Sequence, residues 1–515
     1  MSIFNIKSKS LSQAGFWAYT LILLNTISGF IISPFILRCA GEHMYGVYST
    51  MVSFAATLTI VDIGVTQTLM RYIAKYNAEG RNIKEISELC KSAKYINYVI
   101  VALSLTLSVV LLFNIDNLYS QTFTREELRT AKLVFAILSL SLITTIASNY
   151  NSGIISGNGY FTFIQVVNVT RVVCRLILVL LVVFVTSDVV AVAIVDLSLS
   201  LLGYLAYRIF AERNISIPNS ASFASKAIFV EMLIYTGFVF FQSVVDQVNN
   251  NMGNIMIGSL VGPAAVATFS FGLIIFHMFQ QLSTSISQML LPYMSDMIGK
   301  GATPREFEKS LEMIGKAQFI IVGGVFFAFI VLGKGAIQIW LGDGYDVVWY
   351  ISLILMFGGL VPLIQNGAIA ILRARNLMAF RSFALFIMAL INVVATYFFV
   401  KYMGFEYAAV ATSLGFILIN FILMDIYYYI KLKLNMFRVL WNVVKLIGPC
   451  NIPAMLVAFL IYKWIPSTLT ATIIGGVAYI AIYFGLLWIL MPYIDKTGLI
   501  KNTINKYIGK KDGKI

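Results

Sequence analysis

Runs of twenty or more apolar residues follow one another along the chain, each set off from the next by a short polar break. A helix rises about 1.5 Å per residue, so about 20 such residues cross the ~30 Å hydrocarbon core of a bilayer. The pattern predicts fourteen spans, at residues 12–37, 46–70, 93–113, 130–152, 160–185, 187–210, 228–258, 264–294, 315–333, 346–371, 378–400, 405–430, 439–463 and 467–492. The fourth is rich in Ser, Thr and Asn toward its end, and the thirteenth is interrupted by GPCNIP at residues 448–453. The fold class implied is an all-α integral membrane protein of about fourteen helices.

The chain also resembles itself at an offset of 221 residues. MRYIAKYNAEGRNIKEI (Met70 to Ile86) recurs as LPYMSDMIGKGATPREF (Leu291 to Phe307), which places Tyr72 on Tyr293, Gly80 on Gly301 and Glu85 on Glu306. The same offset pairs GEHMYGVYS (Gly41 to Ser49) with GPAAVATFS (Gly262 to Ser270), and it drifts to 218 where AVA at 191–193 meets AVA at 409–411. A duplicated half inside a membrane protein is the mark of two bundles facing each other across a substrate path. The spans therefore divide into an N-lobe at 1–210, a Ser/Asn-rich linker with Pro218 at 211–227, and a C-lobe at 228–431. Two spans at 432–492 have no counterpart in the repeat, and a basic tail follows at 493–515. Six spans per lobe bring both repeats in from the same side, so a repeat axis along the membrane normal is expected.

Composition agrees with this organisation. The chain is 59% hydrophobic and 12% charged, with a mean hydropathy of +0.86. Soluble domains carry about 25% charged residues. The net charge of +14 would suit a nucleic-acid partner if it were clustered, but its placement follows topology. With the N-terminus inside, inner segments outnumber outer ones in Lys and Arg by roughly four to one, which puts both termini in the cytoplasm. The charge then reports orientation and anionic lipid headgroups, with no nucleic acid implied. Lys7 and Lys9 precede an apolar stretch too long for a cleavable signal peptide. Cys39, Cys90, Cys174 and Cys450 lack CxxC or metal spacing and read as free thiols.

Three segments carry a resemblance to a known family. They are PFILRCAGEHMYGVYS (Pro34 to Ser49), its half-repeat LVGPAAVATFS (Leu260 to Ser270), and IQIWLGDGY (Ile337 to Tyr345) before the tenth span, which is similar to a WLG-type turn. Over about residues 10–430 the chain resembles the multidrug/oligosaccharidyl-lipid/polysaccharide exporter superfamily, in particular its bacterial polysaccharide-unit flippases of the Wzx type. The resemblance implies a multi-pass protein of the bacterial inner membrane. Its implied cargo is an undecaprenyl-diphosphate-linked oligosaccharide, such as an O-antigen unit of lipopolysaccharide, moved outward by alternating access. It also implies membrane lipids and polysaccharide polymerase machinery as partners.

Charges inside a span cost about 2.5–3.5 kcal/mol each on insertion scales, so they face a bundle interior or water. Those expected here are Asp62, Arg171, Arg175, Asp196, Asp246 and Asp425. Arg171 and Arg175 are four apart and share one helix face. Counted from the turn near Thr186, Arg175 and Asp196 fall at the same depth and should form a salt bridge. Arg171 has Asp62 as a partner within reach, or it is left to grip the substrate diphosphate bidentately. The seventh span carries Gln242, Asp246, Asn249, Asn250 and Gly253, and the eighth carries His277, Gln281, Thr284 and Gln288 on one face. The repeat offset matches Asp246 with Asn25 and Gln288 with Gln67. These polar faces either line a cavity or glue the bundle through interhelical hydrogen bonds worth about 0.6 kcal/mol each. The residues expected along a substrate path are therefore Arg171, Arg175, Asp62, Asp196, Asn25, Asp246, Asn249, His277, Gln281 and Gln288. No cofactor is expected. His277 and Asp246 are the groups suited to H+ or Na+ coupling, since buried carboxylates and imidazoles can titrate near neutrality. Pro34, Pro292 and Pro362 are expected to bend their helices.

Two other functions compete with the flippase. A cation-coupled multidrug exporter of the same superfamily would stop at twelve helices and favour an acidic cavity. A glycan polymerase or ligase needs a sizeable outer loop, whereas the longest outer segment here, Asn114 to Arg129, is short and its Glu126 and Glu127 read as a solvated helix start. No nucleophile–base pair, metal cluster or phosphate-binding loop is legible, so the chain is not read as an enzyme.

Overall fold

The computed structural model describes residues 11–62, 64–80, 83–215, 226–287, 290–375 and 377–494, and within them every regular element is helical. The first half contains α1 (Leu11–Ala40), α2 (Glu42–Ala56), α3 (Val65–Ala78), α4 (Ile83–Tyr119), α5 (Arg125–Gly157), α6 (Phe161–Thr186) and α7 (Val189–Asn214). Then come α8 (Lys226–Leu260), α9 (Pro263–Ser287), α10 (Leu290–Gly299), α11 (Pro304–Leu341), α12 (Asp346–Ile364), α13 (Asn366–Ala374) and α14 (Met378–Tyr402). The chain closes with α15 (Ala408–Ile417), α16 (Met424–Tyr427), α17 (Met436–Trp464) and α18 (Thr468–Ile494). Thirteen stretches among the described residues are long and apolar enough to cross a membrane. The 35-residue α8 covers the remaining expected span at 228–258. The protein is a multi-pass membrane protein of about fourteen helices.

The repeat is written in the backbone as well as in the residues. Starts of α2 and α9 (42 and 263), ends of α3 and α10 (78 and 299), and starts of α4 and α11 (83 and 304) are each 221 apart. The turn glycines match too: Gly41 has φ +86° and Gly262 +126°, while Gly80 has +63° and Gly301 +70°. A side chain at φ in this range is strained, which is why Gly recurs at the same place in each copy. Ser49 meets its own repeat equivalent, Ser270, through hydroxyls 2.6 Å apart. Beside it, a Cβ on Gly46 would run into the Pro263 carbonyl. The Thr268 hydroxyl donates to Glu42 at 3.5 Å.

Several expected spans differ in detail. The second is interrupted: α2 passes through a 3₁₀ turn at Thr57–Val61 and an extended Asp62 before α3 begins. The tenth breaks at Gln365, three residues beyond Pro362, into α12 and α13. The twelfth contains π-helical turns at Leu418–Leu423 and Tyr428–Leu432 on either side of α16. The thirteenth is not interrupted, since α17 runs through both Pro449 and Pro453. Buried Asn451 sits between those prolines and donates to the Ile447 carbonyl at 3.3 Å. Tyr483 on α18 donates to the Ile320 carbonyl of α11 at 2.9 Å. Spans three and nine are much longer than expected, because α4 and α11 continue through charged turns beyond the apolar run. Thr303 and Glu306 close a capping box at the start of α11 with Pro304 at its first position.

By packing, the chain forms two compact units, one of Met1–Ile274 with Ser382–Ala411 and the other of Ile275–Arg381 with Thr412–Ile515. The first unit therefore takes in α8 and the start of α9 from the second repeat. In the second unit, buried Ser283 of α9 donates to the Leu363 carbonyl at 2.9 Å and accepts from Asn366 at 3.1 Å. Those bonds hold α9 against the α12–α13 break.

Candidate functional site

Within the first unit, α1, α2, α5, α6 and α7 line an open cavity of 450 Å³. Helical spacing decides what it contains. On α6, Asn168, Arg171 and Arg175 stand at i, i+3 and i+7 and so share one face. That face is turned inward because most of the rest of α6 is Val, Ile, Leu and Phe, which costs nothing against lipid. On α7, Asp196 and Ser200 are one turn apart, and Ser141 of α5 and Tyr48 of α2 complete the polar wall.

Arg175 and Asp196 form the expected ion pair, and it is bidentate: Nε donates to Oδ1 at 2.6 Å and Nη2 to Oδ2 at 3.1 Å. Tyr48 joins them, accepting from Arg175 at 3.2 Å and donating to Asp196 at 3.4 Å. The side chains are 31% and 15% exposed, so the pair is partly withdrawn from solvent. With both oxygens of Asp196 engaged, Arg175 is neutralised where it stands. Arg171 is placed differently. Its Nη2 donates to Ser200 Oγ at 2.8 Å, and the Ser200 hydroxyl in turn donates to the Asp196 carbonyl at 2.7 Å. A guanidinium carries five N–H donors in a fixed fork. One bond to a serine hydroxyl leaves Arg171 with donors to offer into the cavity, whose charges sum to +1.

Asp62 does not reach Arg171. Its carboxylate accepts from the Gly64 amide at 3.2 Å and from Asn149 Nδ2 at 2.8 Å, and it is absent from the cavity wall. The reason is the helix break: an extended Asp62 two residues before Gly64 closes on its own backbone, as Asp does at turns. Asn25 of α1 lines the cavity. On α8, Asp246 is exposed and Asn249 half-buried, while Asn250 donates back to the Asp246 carbonyl at 2.8 Å. His277 and Gln281 lie in the second unit, where His277 Nδ1 is 3.3 Å from Gln280 Oε1. Gln288 lies outside the described residues, as do the side chains of Gln242 and Thr284. Asp425, between the two π turns, accepts from Gln365 at the α12–α13 break at 2.7 Å. Glu127 is not solvated: it is 6% exposed, caps α5 through the Thr124 amide at 2.7 Å, and meets His43 Nδ1 at 2.9 Å.

The residues the sequence did not single out are Tyr48, Ser141, Asn168 and Ser200. Asn168 and Ser200 carried a signal, since each is one turn from a charged residue on its own helix. Tyr48 and Ser141 come from other helices, and nothing local marks them.

The polysaccharide biosynthesis protein family matches residues 11–298, more than half of the chain and the part that holds the cavity. The chain belongs to that family. As a member of the polysaccharide biosynthesis family it also shares its fold with solved transporters. One is the lipid II flippase MurJ in its inward closed conformation (15% identity, 93% of this chain and 99% of that one, TM-score 0.70). A second is a multidrug resistance MATE family transporter of the MOP superfamily in its inward-facing conformation (15%, 82% and 95%, TM-score 0.58). A third is a MOP superfamily transporter from Pyrococcus furiosus (14%, 85% and 98%, TM-score 0.52). At such identities the likeness establishes the fold. No curated protein sequence matches the chain.

Proposed function

We propose that this protein is a flippase that carries a polyprenyl-diphosphate-linked oligosaccharide, the repeat unit of a surface polysaccharide such as O-antigen, outward across a bacterial inner membrane. The observation that carries the reading is Arg171, a guanidinium held inside the cavity of a membrane bundle by one serine hydroxyl. A diphosphate cannot cross bare hydrocarbon, since moving even one small ion there costs on the order of 20 kcal/mol in the idealised limit. A fork of N–H donors in a polar cavity offsets that cost for the headgroup, while the prenyl tail stays in lipid. Membership of a polysaccharide biosynthesis family and the MurJ-like fold support a lipid-linked glycan as cargo. On this reading the two repeat lobes are the bodies that alternate access, both termini are cytoplasmic, and the transport step makes and breaks no covalent bond. Asn25, Asp246, Asn249, Gln281 and Gln288 would extend the polar path, with His277 or Asp246 coupling it to a proton or sodium gradient.

A multidrug exporter is the second reading, since MATE transporters share the fold. The cavity's net positive charge disfavours it, because cationic drugs would be repelled. The test is complementation in a bacterium that lacks its own repeat-unit exporter. Wild-type protein should restore surface polymer, Arg171→Ala should abolish it, and Arg171→Lys should restore part of it. Equal full activity of both variants would return Arg171 to a structural role and remove the support for this reading.

A further inference from the structure

A second cavity of 630 Å³ lies in the first unit, away from Arg171, where α4, α5 and α7 come together. Each helix presents one face to it: Lys94, Asn97 and Tyr98 on α4, Asn151 on α5, and Tyr204 and Arg208 on α7. Its depth is fixed by where charge stops. α4 carries charged residues up to Lys94 and then none until Asp116, and α7 carries none between Asp196 and Arg208. The cavity therefore opens at the level where both helices pass from water into hydrocarbon, which is the level of lipid headgroups. Val99 and Leu103 on α4 and Leu202 and Leu205 on α7 are exposed on the apolar side of that level, as acyl-facing residues should be.

The chemistry of the wall is specific. Lys94 and Arg208 are basic, Lys94 lies 5.9 Å over the Tyr98 ring, and Arg208 shares its charge with Glu212 at 2.9 Å, leaving a net charge of +1. Asn97 is 3% exposed; its Nδ2 donates to the Ala147 carbonyl at 3.2 Å, but its buried Oδ1 finds no partner among the described residues. A buried acceptor left without a donor costs about 1–3 kcal/mol, so its persistence on a cavity wall points to a ligand that brings one. The ligand must then be anionic, carry a hydrogen-bond donor a few ångströms from its charge, and reach the site from the bilayer. We propose that this cavity binds the headgroup of an anionic phospholipid of the phosphatidylglycerol class, phosphate toward Lys94 and Arg208 and a glycerol hydroxyl donating to Asn97 Oδ1. The site is independent of the transport cavity and of the cargo assigned to it.

The full-length protein, delipidated in detergent, is titrated by native mass spectrometry with phosphatidylglycerol, phosphatidylethanol and phosphatidylcholine of matched chains. A net charge of +1 at the membrane surface should favour phosphatidylglycerol over phosphatidylcholine about fivefold. The hydroxyl should favour it over phosphatidylethanol, equally charged but without a headgroup donor, by about fivefold more. Lys94→Gln with Arg208→Gln, both exposed positions that should not disturb folding, should abolish the first preference. Asn97→Leu should abolish only the second. Equal binding of the three lipids by wild type, or an unchanged preference in the double variant, would overturn the proposal. Displacement of the lipid by millimolar glycerol-1-phosphate would also overturn it, by showing that the site takes a soluble phosphate.

Discussion

Replacing Asp196 by alanine would leave the Arg175 guanidinium inside the cavity with Tyr48 as its remaining hydrogen-bonding neighbour in the triad. Removing one partner of a buried ion pair costs about 3–5 kcal/mol, because the surviving charge keeps its desolvation penalty. Arg175 retains 31% of its side-chain surface and Asp196 15%, so the lower end, about 3 kcal/mol, applies here. Replacing both residues by leucine removes the penalty together with the attraction, and such apolar exchanges of a buried pair are often neutral or stabilising. The double variant should therefore recover most of the stability that Asp196→Ala loses. The assay is denaturant or thermal unfolding of purified protein in one detergent, for wild type, each single leucine variant, Asp196→Ala and the double. The reasoning is refuted if Asp196→Ala unfolds with the wild type, or if the double variant is no more stable than either single.

Further outcomes follow from packing. Gly46→Ala puts a methyl against the Pro263 backbone, and Gly358→Ala puts one against Ser413; each should destabilise by about 1–3 kcal/mol, read as lower folded yield and a lower unfolding midpoint. Conversely, Gly415→Ala, where a Cβ meets nothing, should be neutral or slightly stabilising in the same measurement. Maleimide labelling of folded protein should modify Cys39, partly exposed beside Arg38 at the end of α1, well before the buried Cys90 and Cys450. Labelling of all three at one rate would contradict the packing.

How much of this was legible depended on whether the physics was local. The fourteen spans were, because the bilayer's thickness writes itself into run length. Even the thirteenth, read as interrupted by GPCNIP, is one continuous helix, α17, through Pro449 and Pro453. The Arg175–Asp196 pair was legible because two antiparallel helices joined by a tight turn at Thr186 fix relative depth by counting. Asp62, read as a partner within reach of Arg171, was misplaced because a glycine two residues on lets the carboxylate satisfy itself locally. The break at Gln365 had a trace in Pro362, which was expected to bend its helix, and Asp62 and Gly64 follow the 3₁₀ turn at Thr57–Val61; the π turn at Leu418–Leu423 left little, since all but one of its residues are as apolar as their neighbours. Tyr48 and Ser141 were invisible for a different reason: their roles are set by helices far away in the chain. The extensions of α4 and α11 were missed because span-reading stops at charge, whereas a helix does not.

The central claim is that the chain moves a lipid diphosphate through a cavity that Arg171 makes hospitable. Its most direct test is a proteoliposome in which a fluorescent polyprenyl-diphosphate oligosaccharide starts in one leaflet and its arrival in the other is read by an external quencher. Wild type should pass label between leaflets well above protein-free liposomes. Arg171→Ala should slow that passage at least about tenfold, the loss of one charge-assisted contact. Passage no faster than in empty liposomes, or an Arg171→Ala rate equal to wild type, would contradict the account.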